Sequence, residues 1–132
     1  MAMPVVAALI YRGDRLLVCQ RKAKGSFPLK WEFPGGKVKR GEEYIGALRR
    51  ELREELGIEM QSAREVFRHK HLYPNGTEVE LIFFRVDDYQ EAVVNRVFQQ
   101  ILWVEAQRLK EFDFLEGDLP LIEKLSRQEA IP

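Results

Sequence analysis

Residues 36–58 read GKVKRGEEYIGALRRELREELGI, and this stretch decides both the fold and the candidate chemistry of the chain. Its apolar side chains recur at offsets of three and four residues, which is the spacing of one face of an α-helix. They are Ile45, Leu48, Leu52 and Leu56. Gly57 stands where a glycine commonly ends a helix. The pattern therefore predicts an amphipathic helix from Tyr44 to Leu56.

The same stretch carries three glutamates, Glu51, Glu54 and Glu55, at helical offsets of three and four. We expect them to share one face, opposite much of the leucine stripe. Like charges within one turn destabilise a helix unless a cation lies among them. Carboxylate oxygens that leave room for water suit Mg²⁺ or Mn²⁺. The glutamates therefore predict a divalent-metal site, and Arg50 is placed to hold one of them by a charge-assisted hydrogen bond.

Residues 36–58 resemble the Nudix box, G-x5-E-x7-R-E-U-x-E-E-x-G-U, in which U is an aliphatic residue. The alternative is a surface helix that Arg and Glu merely solvate, and a lone pair of glutamates would favour it. Here all nine fixed positions are filled within twenty-three residues, a match that average composition does not produce. The segment is therefore identified as a Nudix box.

The flanking sequence is similar to the MutT branch of the same family. WEFPGGK at 31–37 leads into the box, and Arg21 lies twelve residues before Phe33. GDLPLI at 117–122 resembles the stretch in which an Asn or Asp contacts the base. The resemblance covers most of the chain, from about residue 5 to residue 125.

The resemblance implies an α/β fold, the Nudix α/β/α sandwich, in which helices flank a mixed β-sheet. It implies one Nudix hydrolase domain over 1–132. The implied reaction is hydrolysis of a nucleoside triphosphate to the monophosphate and pyrophosphate, with Mg²⁺ or Mn²⁺ as cofactor. The first substrate expected is dGTP or its 8-oxo form, as in sanitation of the nucleotide pool. CTP, ADP-ribose, a dinucleoside polyphosphate and a domain that senses nucleotide without turnover are the alternatives.

The resemblance also implies roles for individual residues. The implied metal ligands are the carbonyl of Gly35 and the side chains of Glu51, Glu54 and Glu55. Glu51 or Glu54 also accepts the proton of the attacking water. Arg50 orients the glutamates, and Glu42 supports the loop before the helix. The implied substrate contacts are Arg21, Phe33 and Asp118.

One position departs from the family pattern. Members of this branch often carry a further glutamate six residues before the tryptophan of the last strand, and this count from Trp103 arrives at Val97. Either Glu91 substitutes for the missing carboxylate, or the helix glutamates work alone. The departure leaves open which group takes the water proton and how many metal ions bind.

Asp118 has two interpretations. It precedes the predicted terminal helix, where Asp is favoured as an N-cap for purely local reasons. Alternatively its carboxylate contacts the base. An ionised carboxylate only accepts hydrogen bonds, which favours the adjacent N1–H and amine donors of guanine. Cytosine and adenine place a ring acceptor beside their amine and require a protonated carboxyl, which burial can produce.

The composition is that of a globular protein, with 45% hydrophobic and 32% charged residues among 132. A single cysteine, Cys19, cannot form an internal disulfide, so we expect the reducing cytoplasm. No apolar run approaches the ~20 residues of a membrane span. The net charge is zero, so neither membrane nor nucleic acid polymer is an expected partner. We expect a monomer or homodimer whose partner is its nucleoside triphosphate substrate.

Apolar and β-branched runs predict strands at 5–11, 15–19, 31–33, 64–72, 77–86 and 98–104, with a polar connection at 87–96. A terminal helix is predicted from Asp118 to Gln128, and its inward residues are expected to be Leu119, Leu121, Ile122 and Leu125. Together these elements predict one mixed sheet covered by helices. His69 and His71 alternate on a strand and so face one way, but no third ligand for a metal stands out nearby.

Overall fold

The computed structural model of the chain describes residues 2–127. Within them lies a mixed β-sheet of seven strands. The strands are β1 (Met3–Arg12), β2 (Arg15–Gln20), β3 (Trp31–Glu32), β4 (Gly35–Lys37), β5 (Glu59–Leu72), β6 (Glu78–Gln90) and β7 (Gln100–Glu105). The helices are α1 (Tyr44–Leu56) and α2 (Leu119–Ser126), with 3-10 helices at Ala106–Glu111 and Glu116–Asp118. The predicted α/β class and the mixed sheet are confirmed.

Strand β1 lies at the centre of the sheet. The strand order is β3-β2-β1-β6-β5, with β4 paired to β1 and β7 paired to β2. β1 and β6 run parallel, whereas the other paired strands are antiparallel. Parallel neighbours cannot be joined by a hairpin, and the chain between β1 and β6 includes α1. This crossover places the glutamate-bearing helix against the sheet, next to β4.

The two faces of the sheet bury separate hydrophobic cores. Along β1, Val6, Ala8 and Ile10 belong to the core that also contains the buried leucines of α1. Ala7 and Leu9 point the other way, into the core that includes α2. A strand buried on both faces is expected to be continuously apolar, as β1 is.

Helix α1 has the bounds that its periodicity predicts. It ends at Gly57, which has a left-handed backbone with φ of 69° and donates its amide to the Arg53 carbonyl at 3.1 Å. Glycine adopts this conformation without steric cost, so the predicted C-terminal signal is confirmed.

Three expectations about the elements are wrong. β5 begins at Glu59, before the predicted start at residue 64. β6 continues to Gln90 through part of the predicted polar connection, because its pairing with β5 extends to Gln90 opposite Glu59. In α2, Leu119 is 46% exposed, since the buried stripe is formed by Leu121, Ile122 and Leu125 and Leu119 lies off it. The predicted end of this helix at Gln128 lies outside the described residues.

Candidate active site

A cleft of about 420 Å³ is lined by residues from β1, β3, β4, α1, β6 and the segment before α2. Five of the predicted site residues line it, namely Arg21, Phe33, Gly35, Glu55 and Asp118. Arg50, Glu51 and Glu54 are not among the lining residues and lie on α1 beside Glu55. The structure therefore brings the predicted substrate contacts together with one end of the predicted metal site.

Arg50 lies among three carboxylates and a backbone carbonyl. Its Nε and Nη2 donate to the two oxygens of Glu42 at 2.8 and 2.9 Å, and its Nη1 donates to Glu51 at 2.9 Å. Nη2 also donates to the Lys37 carbonyl at 3.2 Å. The hydrogen bonds from Arg50 and from the Lys39 amide lower the pKa of Glu42 to about 2. Arg50 thus fastens the loop before α1 to the helix.

Glu51 is packed against a glycine. A Cβ added at Gly36 would lie 2.5 Å from the Cδ of Glu51 and 2.7 Å from both of its carboxylate oxygens. The carboxylate therefore occupies the space that any side chain at position 36 would need. Together with the Arg50 hydrogen bond, this packing fixes where Glu51 points.

Glu55 is partly buried between α1 and β4, where its Oε1 accepts the Gly35 amide at 3.0 Å. Burial, together with the nearby charges of Glu51 and Glu32, raises the pKa of Glu55 to about 9. Two neighbouring carboxylates out of water cannot both ionise unless a positive charge joins them. Their hard oxygen atoms form a donor set that a divalent cation fits.

The three glutamates of the predicted metal site differ in exposure. Glu54 is 55% exposed and lies 3.5 Å from Arg50 Nη1, while Glu55 turns inward instead of sharing an exposed face. Among residues 2–127, no three His, Cys, Asp or Glu side chains are arranged to hold a metal ion. The physical reason is that β4 covers α1 on the side of Glu55, which helical offsets alone do not show.

Arg21 does not reach freely into the cleft. Its Nη1 donates to Glu32 at 3.0 Å, while its Nε and Nη2 donate to the carbonyl and hydroxyl of Ser26, both at 3.0 Å. The guanidinium thereby ties the basic loop after β2 to β3. Phe33 is 3% exposed and packs against Phe83 and Phe114, so it lines the cleft from a rigid aromatic cluster.

Asp118 is a buried acid whose Oδ2 has no hydrogen-bond partner among the described residues. It is 4% exposed, and it occupies the N-cap position of α2 without any side-chain capping hydrogen bond. Burial, and secondarily the charge of Glu32, raises the pKa of Asp118 well above its ordinary value. The side chain therefore accepts no hydrogen bond from the first backbone amides of α2, which is the contact that the capping interpretation requires.

Sequence reasoning gave no role to Glu32. It lies between the buried aromatics Trp31 and Phe33, lines the cleft and ion-pairs with Arg21. Burial raises the pKa of Glu32 and Arg21 lowers it, with burial the larger effect. The sequence signal that could have indicated a role for Glu32 is its position as a charged residue between two aromatic residues. Phe27 also lines the cleft, and its ring lies 4.9 Å from that of Tyr73. Sequence reasoning did not predict this position, because nothing in the loop sequence distinguishes Phe27.

The loop after β6 carries the position that departs from the family pattern. Val97 is 43% exposed, so it is not a core residue, and Glu91 is exposed with φ of 75°. The loop docks on the end of α1, since the Val94 and Arg96 amides donate to α1 carbonyls at 2.9 and 3.0 Å. A side chain at 97 is therefore displayed by a segment attached to the glutamate-bearing helix.

The two histidines face the same way, as predicted, and both meet the segment before α2. His69 Nε2 lies 2.6 Å from the Gly117 carbonyl, and His71 Nε2 lies 3.4 Å from Glu116 Oε2. They contact this segment instead of a shared third ligand among the described residues. As to membranes, none of the helices within residues 2–127 is long and apolar enough to cross one.

Several known proteins are similar to this chain in sequence and in fold. The NUDIX domain family matches residues 1–125. The CTP pyrophosphohydrolase of Escherichia coli (strain K12) is 35% identical over 119 residues, which are 90% of this chain and 87% of that protein. The putative 8-oxo-dGTP diphosphatase 2 of Mycobacterium tuberculosis (strain CDC 1551 / Oshkosh) is 37% identical over 124 residues, which are 93% and 87%.

The solution structure of the E. coli ORF135 protein superposes with a TM-score of 0.81 at 34% identity, covering 92% of this chain and 86% of that one. The similarity thus extends through the box, the cleft and the segment that carries Asp118. The chain therefore belongs to the NUDIX domain family and is a Nudix hydrolase.

Proposed function

We propose that the chain is a cytoplasmic nucleoside triphosphate pyrophosphohydrolase that uses Mg²⁺, or Mn²⁺ in its place. The observation that carries this proposal is that one cleft is lined both by Asp118 and by Glu55 of the Nudix box, which accepts a hydrogen bond from the Gly35 amide. A nucleotide needs a site with two chemically different ends, one for its base and one for its polyphosphate. The names of the two relatives, which specify CTP and 8-oxo-dGTP, support the same substrate class.

In the proposed reaction a water oxygen bonds to the β-phosphorus, and the bond from that phosphorus to the α–β bridging oxygen breaks. The products are a nucleoside monophosphate and pyrophosphate. Glu54 is the proposed acceptor of the water proton, because its 55% exposed side chain is the more open to water of the two candidates, Glu51 and Glu54. Glu51 is held by Arg50 and packed against Gly36, which suits a positioning role.

The metal would be held by the Gly35 carbonyl, Glu51, Glu54 and Glu55. When bound, the cation would supply positive charge against the phosphate oxygens. The fit rests on the adjoining carboxyls of Glu51 and Glu55, whose mutual repulsion a cation removes. Arg50, with its hydrogen bonds to Glu42 and Glu51, keeps the helix and the preceding loop together around these ligands.

Two bases are candidates for the Asp118 end of the cleft. Guanine and 8-oxoguanine suit either form of the carboxyl, because O6 with N1–H matches the neutral acid and N1–H with the amine matches the ion. Cytosine suits only the neutral acid, which donates to N3 and accepts from the amine. The raised pKa of Asp118 favours the neutral form, which suits adenine as well as cytosine, and the name of the CTP pyrophosphohydrolase relative makes CTP the second candidate beside dGTP and 8-oxo-dGTP.

The test is a panel of nucleoside triphosphates incubated with Mg²⁺, in which pyrophosphate and phosphate are measured separately. We expect pyrophosphate and the monophosphate as products. In the Asp118→Ala variant, kcat/KM for the preferred base should lose roughly 1–3 kcal/mol, with smaller losses for the others. Glu116→Gln, a change at the half-exposed acid two residues earlier, is the matched control.

Release of phosphate without pyrophosphate, or no turnover of any triphosphate, would contradict the proposed reaction. Equal losses across all bases in Asp118→Ala, accompanied by a lower Tm, would instead show that Asp118 supports the fold and does not contact the base. In that case the reaction would stand and the residue that contacts the base would lie elsewhere in the cleft.

A further inference from the structure

The carboxyl of Asp118 is held in the cleft without any hydrogen bond to its Oδ2 from the described residues. Its direction must therefore be set by the backbone on which it stands. The backbone of the preceding residue, Gly117, contacts two side chains, that of His69 in β5 and that of Tyr73 just after it. Its amide donates to the Tyr73 hydroxyl at 3.2 Å, and its carbonyl lies 2.6 Å from His69 Nε2.

These contacts act on both peptide units that flank the Gly117 Cα. The amide belongs to the peptide that joins Glu116 to Gly117, and the carbonyl to the peptide that joins Gly117 to Asp118. A Cβ added at Gly117 would lie 2.6 Å from Leu81 Cδ1 and 2.7 Å from the Tyr73 hydroxyl. The segment therefore rests directly on the sheet, at a distance that only glycine permits.

His69 is oriented to donate to this carbonyl. A carbonyl oxygen only accepts hydrogen bonds, so the short contact requires the proton on Nε2. The imidazole lies parallel to the ring of Phe83 at 6.4 Å, and the ring of Phe67 lies 5.6 Å away. These ring contacts fix the plane of His69, and with it the direction of its N–H.

Tyr73 follows β5 and is 8% exposed. Its ring lies 4.6 Å from that of His71 and 4.9 Å from that of Phe27. It also lines the cleft that contains Asp118. Tyr73 and His69 thus reach the same glycine from one sheet face, and each is held in place by aromatic neighbours.

We propose that Tyr73 and His69 are positioning residues that determine base selectivity by holding the Gly117 peptides and so directing Asp118. The inference rests on the proposed function, in which Asp118 contacts the base. Neither residue needs to touch the base for this role. Losing either hydrogen bond should let the Asp118 carboxyl turn, which weakens recognition of the base and leaves the phosphate chemistry in place.

The test combines Tyr73→Phe, which removes only the hydroxyl, with His69→Leu and His69→Gln. A glutamine amide can replace the Nε2 donor, so His69→Gln is the matched rescue variant. Calorimetry without metal measures the Kd of GMP and CMP, and steady-state kinetics with Mg²⁺ measures kcat and KM for the triphosphates. Every variant is also made in the Asp118→Ala background, and each Tm is recorded.

We expect Tyr73→Phe and His69→Leu each to reduce the ratio of the two Kd values about fivefold, the scale of one net hydrogen bond. KM should rise for the preferred triphosphate while kcat stays nearly constant, and His69→Gln should restore the parent ratio. In the Asp118→Ala background neither variant should change the ratio further, because the positioned group is gone.

A Tyr73→Phe or His69→Leu effect that persists in the Asp118→Ala background would overturn the proposal, since the residue would then contact the base itself. Unchanged selectivity in both variants, with Asp118→Ala reducing it, would overturn the positioning role alone. If Asp118→Ala itself leaves the Kd ratio unchanged, the base contact assigned to Asp118 fails, and the positioning role fails with it.

Discussion

Gly36 and Glu51 adjoin so closely that only one of them can carry a side chain, since a Cβ at position 36 would lie 2.5 Å from Glu51 Cδ. Gly36→Ala should therefore displace the carboxylate, which is the flexible end of its side chain. We expect turnover to fall about a hundredfold, the scale of a misplaced reacting group. Thermal melting should change little, because the backbone at Gly36 is not in the left-handed region.

Gly35→Ala is the matched contrast at the neighbouring position. Gly35 has φ of 154°, and a Cβ there would lie 2.0 Å from the Val6 carbonyl oxygen, which is backbone and cannot move aside. This variant should lose about 2 kcal/mol or more of unfolding free energy. Similar melting losses in both variants would contradict the distinction between the two glycines.

Glu54→Gln tests the proposed proton acceptor. The variant keeps the size and exposure of the side chain but removes its basicity, so we expect turnover to fall by at least about a hundredfold. Stability without metal should be equal or higher, because one charge is removed beside Glu51 and Glu55. The comparison is made by steady-state kinetics and thermal melting.

Glu43→Gln is the control for that loss. Glu43 is exposed at the N-cap of the same helix and makes no side-chain capping hydrogen bond. It should retain parent activity. Near-normal turnover in Glu54→Gln would remove Glu54 from the proposed chemistry.

Val97→Glu tests the departure from the family pattern. Because Val97 is 43% exposed, a charge there should leave the Tm unchanged. If a missing carboxylate limits the enzyme, the variant should turn over faster or reach half-maximal rate at lower Mg²⁺. Val94→Glu, at a 53% exposed position of the same loop, should show neither change in a Mg²⁺ titration. Equal behaviour of the two variants would mean that the helix glutamates suffice.

Base preference should depend on pH through Asp118. Its folded pKa is raised, so the carboxyl is neutral below that value and loses its donor as the pH rises through it. Cytosine requires that donor and guanine does not. The ratio of kcat/KM for CTP to that for dGTP should therefore fall as the pH rises through the raised pKa of Asp118.

The groups that face Asp118 do not reverse this direction. Glu32 adds negative charge, which raises the pKa of Asp118 further, and burial raises the pKa of the Tyr73 hydroxyl so that it stays neutral. Asp118→Asn keeps a donor and an acceptor but cannot ionise, so its ratio should not vary with pH. A parent ratio that is flat, or that matches the Asn variant, would be inconsistent with a titrating Asp118.

The helix and its box were predictable because their signals are local. Apolar spacing and Gly57 define α1, and the order of elements defines a mixed sheet. The position of Glu55 was not predictable, since its burial depends on β4 lying over α1. Likewise, Asp before a helix suggests a cap whether or not the side chain turns toward the helix, and at Asp118 it makes no capping hydrogen bond.

Long-range pairing explains the remaining difference. Asp87 and Asp88 are poor strand formers, and their sequence indicates a loop. They extend β6 because β5 offers a partner, with Ser62 opposite Asp88. Pairing between residues more than twenty positions apart in the sequence overrides local preference here, and local sequence patterns do not indicate it.

Because the two faces of the sheet bury separate cores, the substrate preference of such enzymes should be able to change independently of their catalytic helix. The α1 glutamates stand on one core, whereas Tyr73, Leu81 and the segment carrying Asp118 stand on the other. Substitutions beneath the proposed base-binding end should leave the packing of α1 undisturbed, because distant sites contribute independently. Substitutions on the face that carries the Asp118 segment should therefore change which nucleotide is accepted, while the α1 glutamates and the proposed hydrolysis stay the same.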